Sequence, residues 1–503
     1  MVYNFPLPTT AHLSFQSYLS SSTHPSLPQA ASTARHAFRL ALKAHKRLTP
    51  RERESHLQTV LNALNEYLPF LFAISHGLSG KSIRGGVGGV DEEVEITLRE
   101  EPEIEWRPGF ASSSLLRGAK VRGRGIDFEV ALVVSTLGYV LTGLARVDML
   151  RTLYAAATPT PEKRASSVQH ATKLLLQASS AHSLLASSTS FTSTEALPAL
   201  PQLSTALQTG LASLALAEAT LLAVLKDDAY TFACIQSRNP HDKDWMVQAP
   251  EIPKVRALLF ARLCVRGAEY AEQAAAGIGS IGAKSRGGSS GSAVGKVDED
   301  LIKYAQTLGK VARARACRFF GVDAELAGKA GEGIAWLRAG KGALGVKRAL
   351  IPEGGEGRGG GKGSALSKIK KGWTDRREER KLEKSNNGAS TTQNGELARG
   401  DDAGWEEEGR VIEMLETKWV KMNDTVCFWR TALLVVQRKF SDSRNRSAPR
   451  LFPRRNLYSQ ICLLAEIYTA FLPYTHLRHW TRINLCTCEL RPKISNSSWL
   501  RWT

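Results

Sequence analysis

Asp127-Phe128-Glu129-Val130-Ala131-Leu132-Val133-Val134-Ser135-Thr136-Leu137-Gly138-Tyr139-Val140-Leu141-Thr142-Gly143-Leu144-Ala145 is the stretch whose reading decides the fold. Apolar side chains fall on every side of a helical spiral, so it predicts a helix buried all round. A run of about eighteen apolar residues also fits a membrane span. Here Glu129, Ser135, Thr136 and Thr142 interrupt it and Arg122, Arg124 and Arg146 bracket it, which favours the core helix of a soluble domain.

Such a helix needs partners, and the flanking sequence supplies them. Upstream, Ala30 to Arg47 reads as a helix with Ala34, Phe38, Ala41 and Leu42 on one face. Thr49 and Pro50 form an N-cap and first-turn pair, opening a helix that carries Leu57, Val60, Leu61, Leu64 and Leu68. Downstream, Thr160 and Pro161 open another, with Val168, Ala171, Leu175, Ala178, His182 and Leu185 along one stripe. His182 reads there as a satisfied core histidine and not a ligand. Leu203 to Leu225 interleaves Ala212, Ala215, Ala217 and Ala219, which lets neighbouring helices approach closely. Further helices are expected at Lys254 to Ala276 and Asp298 to Phe320, then a shorter pair from Ala324 to Lys341. Long helices in sequence predict stacked antiparallel pairs.

A little β-structure precedes the central helix. The segment up to Pro28 is expected to run extended, pinned by Phe5, Leu13 and Phe15. Val94, Ile96 and Leu98 alternate with polar residues as in a half-buried strand, and Ile104 with Trp106 predicts a second strand paired with it across a turn at Pro102.

Phe128-Glu129, the apolar run, Leu137-Gly138 and Leu144-Ala145 together resemble the signature helix of the BRO-domain family of Alix-like adaptors. Val94 to Leu98 and Ile104 to Arg107 resemble the strand and aromatic-basic turn that precede it. Where the family often has Asn in mid-helix, this chain has Ser135 and Thr136. Phe5 to Thr10, Ser22 to Pro28 and Thr158 to Glu162 are similar to the fungal pH-response branch of that family. The likeness runs, with gaps, from about Phe5 to Val426. It implies a mainly α fold: a curved helical BRO-domain body with tetratricopeptide-like helix pairs and a small N-terminal β-sheet.

The expected organisation is a helical domain over 1–350 with a Gly/Ser loop at 285–295, a Gly-rich and charged linker over 351–405, and an amphipathic helix over 406–426 docking back on the domain. Residues 427–503 hold thirteen Lys and Arg against three acids, so more than half of the net charge of +19 lies there. Four of ten Trp and four of seven Cys also fall in this tail, and no periodicity lasts two turns. It is read as a disordered product of a retained intron or shifted frame. Its concentration of charge weakens the case for a nucleic-acid-binding body. The alternative is a basic protein binding nucleic acid or anionic membrane through Ser367 to Lys384 and the tail.

No catalytic, cofactor or metal site is expected. Gly357 to Ser364 lacks the Ser or Thr after Lys362 that a phosphate loop needs, and Gly85 to Gly89 has no strand before it. His241, Asp242 and Asp244 lack further ligands, and Cys486 with Cys488 does not make a four-ligand zinc site. Cys234, Cys264 and Cys317 read as buried thiols. The early sequence has no basic leader, and the cysteine spacing suits a reducing, cytoplasmic setting.

The resemblance implies a non-enzymatic adaptor of alkaline ambient-pH signalling, recruited from the cytoplasm to endosomal membrane or plasma-membrane signalling sites. It further implies binding of the C-terminal amphipathic helix of an ESCRT-III subunit of the Snf-seven type, contact with other components of the pathway, and a requirement in proteolytic activation of the transcription factor pacC by a calpain-like protease. Membrane association would then be indirect, and no nucleic acid is expected. No single contact residue is assigned; Leu203 to Leu225 and Phe128 to Ala145 are expected to shape the partner patch, the former with some apolar residues exposed.

Overall fold

The computed structural model describes residues 2–80, 83–84, 91–109, 120–154, 159–188, 203–236, 254–284, 299–345 and 402–423. The expectations for 85–89, 241–244, 285–295, 357–364, 367–384 and 427–503 lie outside the described residues. Ten helices form among those described: α1 (Leu27–Arg47), α2 (Pro50–Leu78), α3 (Ile126–Leu153), α4 (Pro161–Ser187), α5 (Thr205–Leu225), α6 (Ala229–Gln236), α7 (Lys254–Lys284), α8 (Glu299–Leu326), α9 (Ala330–Ala343) and α10 (Trp405–Asn423). The fold is mainly α with a small N-terminal sheet.

Helix starts follow local chemistry. Thr49 and Glu52 form a capping box at α2, Glu52 accepting from the Thr49 amide at 3.0 Å. Thr160 accepts from Lys163 N at 3.3 Å at the start of α4, and Ser204 does the same for Leu207 N at α5. α3 begins after Gly125, whose φ of 88° is one that side-chain-bearing residues rarely adopt.

Each long helix packs on its neighbours in sequence: α1 on α2, α2 on α3, α3 on α4, α4 on α5, α5 on α7, α7 on α8, α8 on α9 and α9 on α10. Two apolar cores result. One gathers α1 to α4 and the sheet, the other α7, α8, α9 and α10, and α5 contributes a face to each. α3 is central to the first, as its sequence requires. Its mean hydropathy of 1.7 and that of α5, 1.5, would suit a membrane span, but 94% and 72% of their most apolar windows are buried inside the protein.

Three expectations are corrected. α3 does not end near Arg146 but runs on to Leu153; Arg146 is buried and donates from Nη1 to the Val2 carbonyl at 2.6 Å. The hairpin across Pro102 does not form. The strands are β1 (Thr9–Thr10), β2 (Leu19–Ser21), β3 (Ile83–Arg84), β4 (Asp91–Glu92), β5 (Ile96–Leu98), β6 (Glu103–Arg107) and β7 (Val121–Arg124). β5 pairs with β2, and β6 lies between β1 and β7, all antiparallel. Alternation in β6 correctly turns Ile104 and Trp106 inward, but alternation fixes a face and not a partner. The extended N-terminal segment supplies β2 to β5 and β1 to one edge of β6, while β7 takes the other edge. Finally, a single helix replaces the short pair after α8, because Gly328, at φ 78°, ends α8 and turns the chain into α9.

Candidate functional site

Buried charge is where chemistry would be sought first, and it gathers at three nodes. Glu129 is the one buried acid of α3. Arg35 of α1 donates to it from Nε (2.8 Å) and Nη2 (3.3 Å), Tyr67 of α2 from its hydroxyl (3.1 Å) and Trp106 of β6 from Nε1 (2.8 Å). Arg35 also reaches the Ala11 carbonyl and the Thr10 hydroxyl. Burial opposes the Arg35 charge, but Glu129 outweighs it and holds the guanidinium above its ordinary pKa. One carboxylate thus fixes three helices, the sheet and the N-terminal segment. Its acceptor sites are taken by protein donors, and water has no path to it.

The second node centres on Arg318 of α8. Its guanidinium meets Asp228, just before α6, at 3.1 Å from Nη1, and Glu408 of α10 at 2.6 Å from Nε. Arg315 adds a bond to Glu408 at 2.9 Å. Asp228 also accepts from Thr231 N and its hydroxyl, capping α6. Burial would push the Asp228 carboxyl up, yet Arg318 more than reverses this and holds it below its usual value. Two further, partly buried ion pairs, from Arg338 and Lys341 to Glu416 at 2.8 and 2.6 Å, tie α9 to α10.

The third node lies where the two cores meet. Glu218 of α5 accepts from Tyr3 N and the Tyr304 hydroxyl, both at 2.9 Å on Oε1, while Oε2 is buried with no partner among the described residues. Burial pushes its carboxyl up to about 7. Beside it, Phe5 stacks on Tyr139, whose hydroxyl accepts from Ser135 at 2.8 Å, and His182 meets Gln208 at 2.7 Å through Nδ1. His182 is a core histidine as its position on the stripe predicted; burial lowers it to about 4, so it is neutral. It lies against Gly138 of α3 so tightly that any Cβ there would collide with its ring.

None of these groups faces solvent with a free position for a substrate. Cys234, Cys264 and Cys317 are buried free thiols, pushed up to about 12 by burial, which leaves them protonated and inert. Among the described residues no three His, Cys, Asp or Glu side chains gather as metal ligands do. The sequence missed all three nodes. Glu129 was the one visible signal, an acid inside the apolar run of α3, since such a group demands a buried partner; Arg35, far away in sequence, carries no mark of being it.

The surface gives a different picture from the one expected. α5 exposes no large apolar side chain: α4 and α7 flank it, and its leucines are buried except the half-buried Leu216. The exposed stripe of α4 carries the apolar groups instead, with Leu176 38% and Leu184 44% exposed. The Ser179 hydroxyl bonds the Ala212 carbonyl and His182 meets Gln208, so α4 and α5 run antiparallel. That register sets Leu176 level with Leu216, with the half-exposed Ser213 and Thr220 one helical turn to either side.

No protein-family model matches the chain. It is 58% identical over 434 residues to the pH-response regulator protein palC of Emericella nidulans, covering 85% of this chain and 83% of that protein. A solved structure concerned with endosomal targeting by the Bro1 domain aligns with 83% of this chain and 98% of its own, at 12% identity and a TM-score of 0.41.

Proposed function

The chain belongs to the palC family of pH-response regulators, and from that premise we propose that it is a non-enzymatic adaptor of the alkaline branch of pH signalling. The family membership carries the reading. The adaptor receives the C-terminal amphipathic helix of an ESCRT-III subunit of the Snf-seven type along the exposed face of α4, with Leu176 and Leu184 as apolar contacts. It is required for proteolytic activation of pacC without cutting it, working from the cytoplasm at endosomal or plasma-membrane signalling sites. Three features support a docking role over catalysis: the carboxylates are closed in, the thiols are protonated, and the uncovered leucines lie on one helix face. In the same reading, residues 1–350 with the returning 406–426 helix form the working domain, and 427–503 contribute nothing.

Complementation of a deletion strain tests this. The full chain restores pacC processing at alkaline pH, and so does a chain ending after residue 426; Leu176→Asp does not. Normal processing in the deletion strain itself, or full rescue by Leu176→Asp, would overturn the proposal.

A further inference from the structure

The last turns of α1 and the end of β6 enclose a surface cleft of about 430 Å³ lined by Thr9, Lys43, Lys46, Arg47 and Arg107. Four of its five residues are cations. Thr9 and Arg107 are paired across β1 and β6, so the cleft is built by three elements and not by one charged helix. Basic residues in a helix's last turn are ordinarily explained by the helix dipole. That account covers Lys46 and Arg47, but not Arg107, which a separate strand delivers, nor Lys43 and Arg39, which sit further back on the same face.

None of these five cations forms an ion pair among the described residues, and Arg39 Nε is buried with no hydrogen-bond partner. Glu105, two residues before Arg107 on β6, feels Arg107 at a distance but is bonded to Lys120 at 2.8 Å and Arg122 at 3.5 Å. Lys43 is held below its ordinary pKa, first by burial and then by Arg39, Arg47 and Arg107, as cations crowded on one another are. Leu40, 50% exposed, flanks the cluster on α1. A basic cluster beside an uncovered leucine is the combination found where helices lie on anionic lipid surfaces.

We propose that this cleft binds a phosphoryl polyanion, presented as the phosphorylated headgroup of a membrane inositol lipid, with Leu40 entering the interface. A volume of this size is within the range of small-ligand sites. The site goes beyond the adaptor reading and does not depend on it, giving the protein a direct membrane contact besides a partner-mediated one.

The test uses the full chain in vesicle co-flotation, with phosphatidylcholine alone or doped with a phosphatidylinositol phosphate, and inositol hexakisphosphate as the soluble probe. Variants are Lys46→Gln with Arg47→Gln, and, on the other element, Arg107→Gln; all three side chains are exposed, so melting should be unchanged. Binding to the doped vesicles, weakened about fivefold for each cation removed and by added salt, is the expected result. Binding of the soluble probe alone, weakened by the same variants, upholds the phosphoryl site with a free source. Wild type and variants binding alike, or neither probe being bound, overturns it. ESCRT-III binding is read out separately, so either proposal can fail alone.

Discussion

Arg35 and Arg318 hold the two halves of the molecule by the same means and with different margins. In the N-terminal core one guanidinium faces one carboxylate, and the remaining positions on Glu129 go to the neutral donors Tyr67 and Trp106. In the C-terminal core two guanidiniums face two carboxylates, and one of those, Glu408, arrives on α10 from far along the chain. The first node can therefore be neutralised by a single paired exchange, whereas the second cannot. A buried ion pair is weak evidence for net stability but strong evidence of what cannot be removed singly.

The largest expected effect breaks the second node. Arg318→Met strands Asp228 and leaves Glu408 with Arg315 alone, which should cost about 3–5 kcal/mol in urea unfolding and release α10 to hydrogen exchange. Arg35→Met should cost about 3 kcal/mol, because Tyr67 and Trp106 still donate to Glu129. The double change Arg35→Met with Glu129→Leu should recover most of that loss. Arg318→Met with Glu408→Leu should not, since Asp228 and Arg315 remain buried without each other's full pairing. Equal recovery at both nodes would erase the distinction.

Glu218 sharpens the contrast by having no guanidinium bonded to it. Its carboxyl is raised from an ordinary 4.5 to about 7 in the folded state, so the folded protein binds a proton there that the unfolded chain has released. Stability is then greatest below about 4.5 for this group, falls as pH rises to about 7, and is flat above. The span corresponds to about 3 kcal/mol. Glu218→Gln should raise stability at pH 8 by up to that amount and remove the slope. Asp228 has the opposite sign: lowered in the folded state by Arg318, it contributes above its unfolded value and is lost as acid protonates it. Unfolding free energies of the two variants across pH 2–8 would separate them: Glu218→Gln removes a slope between about 4.5 and 7, whereas Asp228→Asn removes one of the opposite sign below the ordinary carboxyl value of 3.8. The smallest effect belongs to the surface: Leu176→Asp should change stability by less than about 0.5 kcal/mol, as a leucine exposed for partner contact should.

Much of this architecture was legible in the sequence, and the reasons are physical. Periodicity exposed the long helices, and Thr49-Pro50 and Thr160-Pro161 marked two starts to the residue. The all-apolar run of α3 revealed the core's centre. Strand partners were not legible, because Ile104 and Trp106 need only an inward face and any extended neighbour satisfies their amides. The exposure expected of α5 failed for a related reason. α5 is apolar enough to look like an uncovered patch, but composition cannot say that α4 and α7 both lie against it, and so Leu176 and Leu184 on α4 went unnoticed. The charged nodes were illegible because their members stand some ninety residues apart.

The adaptor account is tested most directly by calorimetric titration of the full chain with the C-terminal helix peptide of the Snf-seven-type subunit, beside the Leu176→Asp variant. The account predicts saturable binding by the wild type and at least tenfold weaker binding by a variant of unchanged melting temperature, the loss of about 1.4 kcal/mol expected when one apolar contact is replaced by a buried charge. Equal affinity for both proteins, or no binding by the wild type, would contradict it.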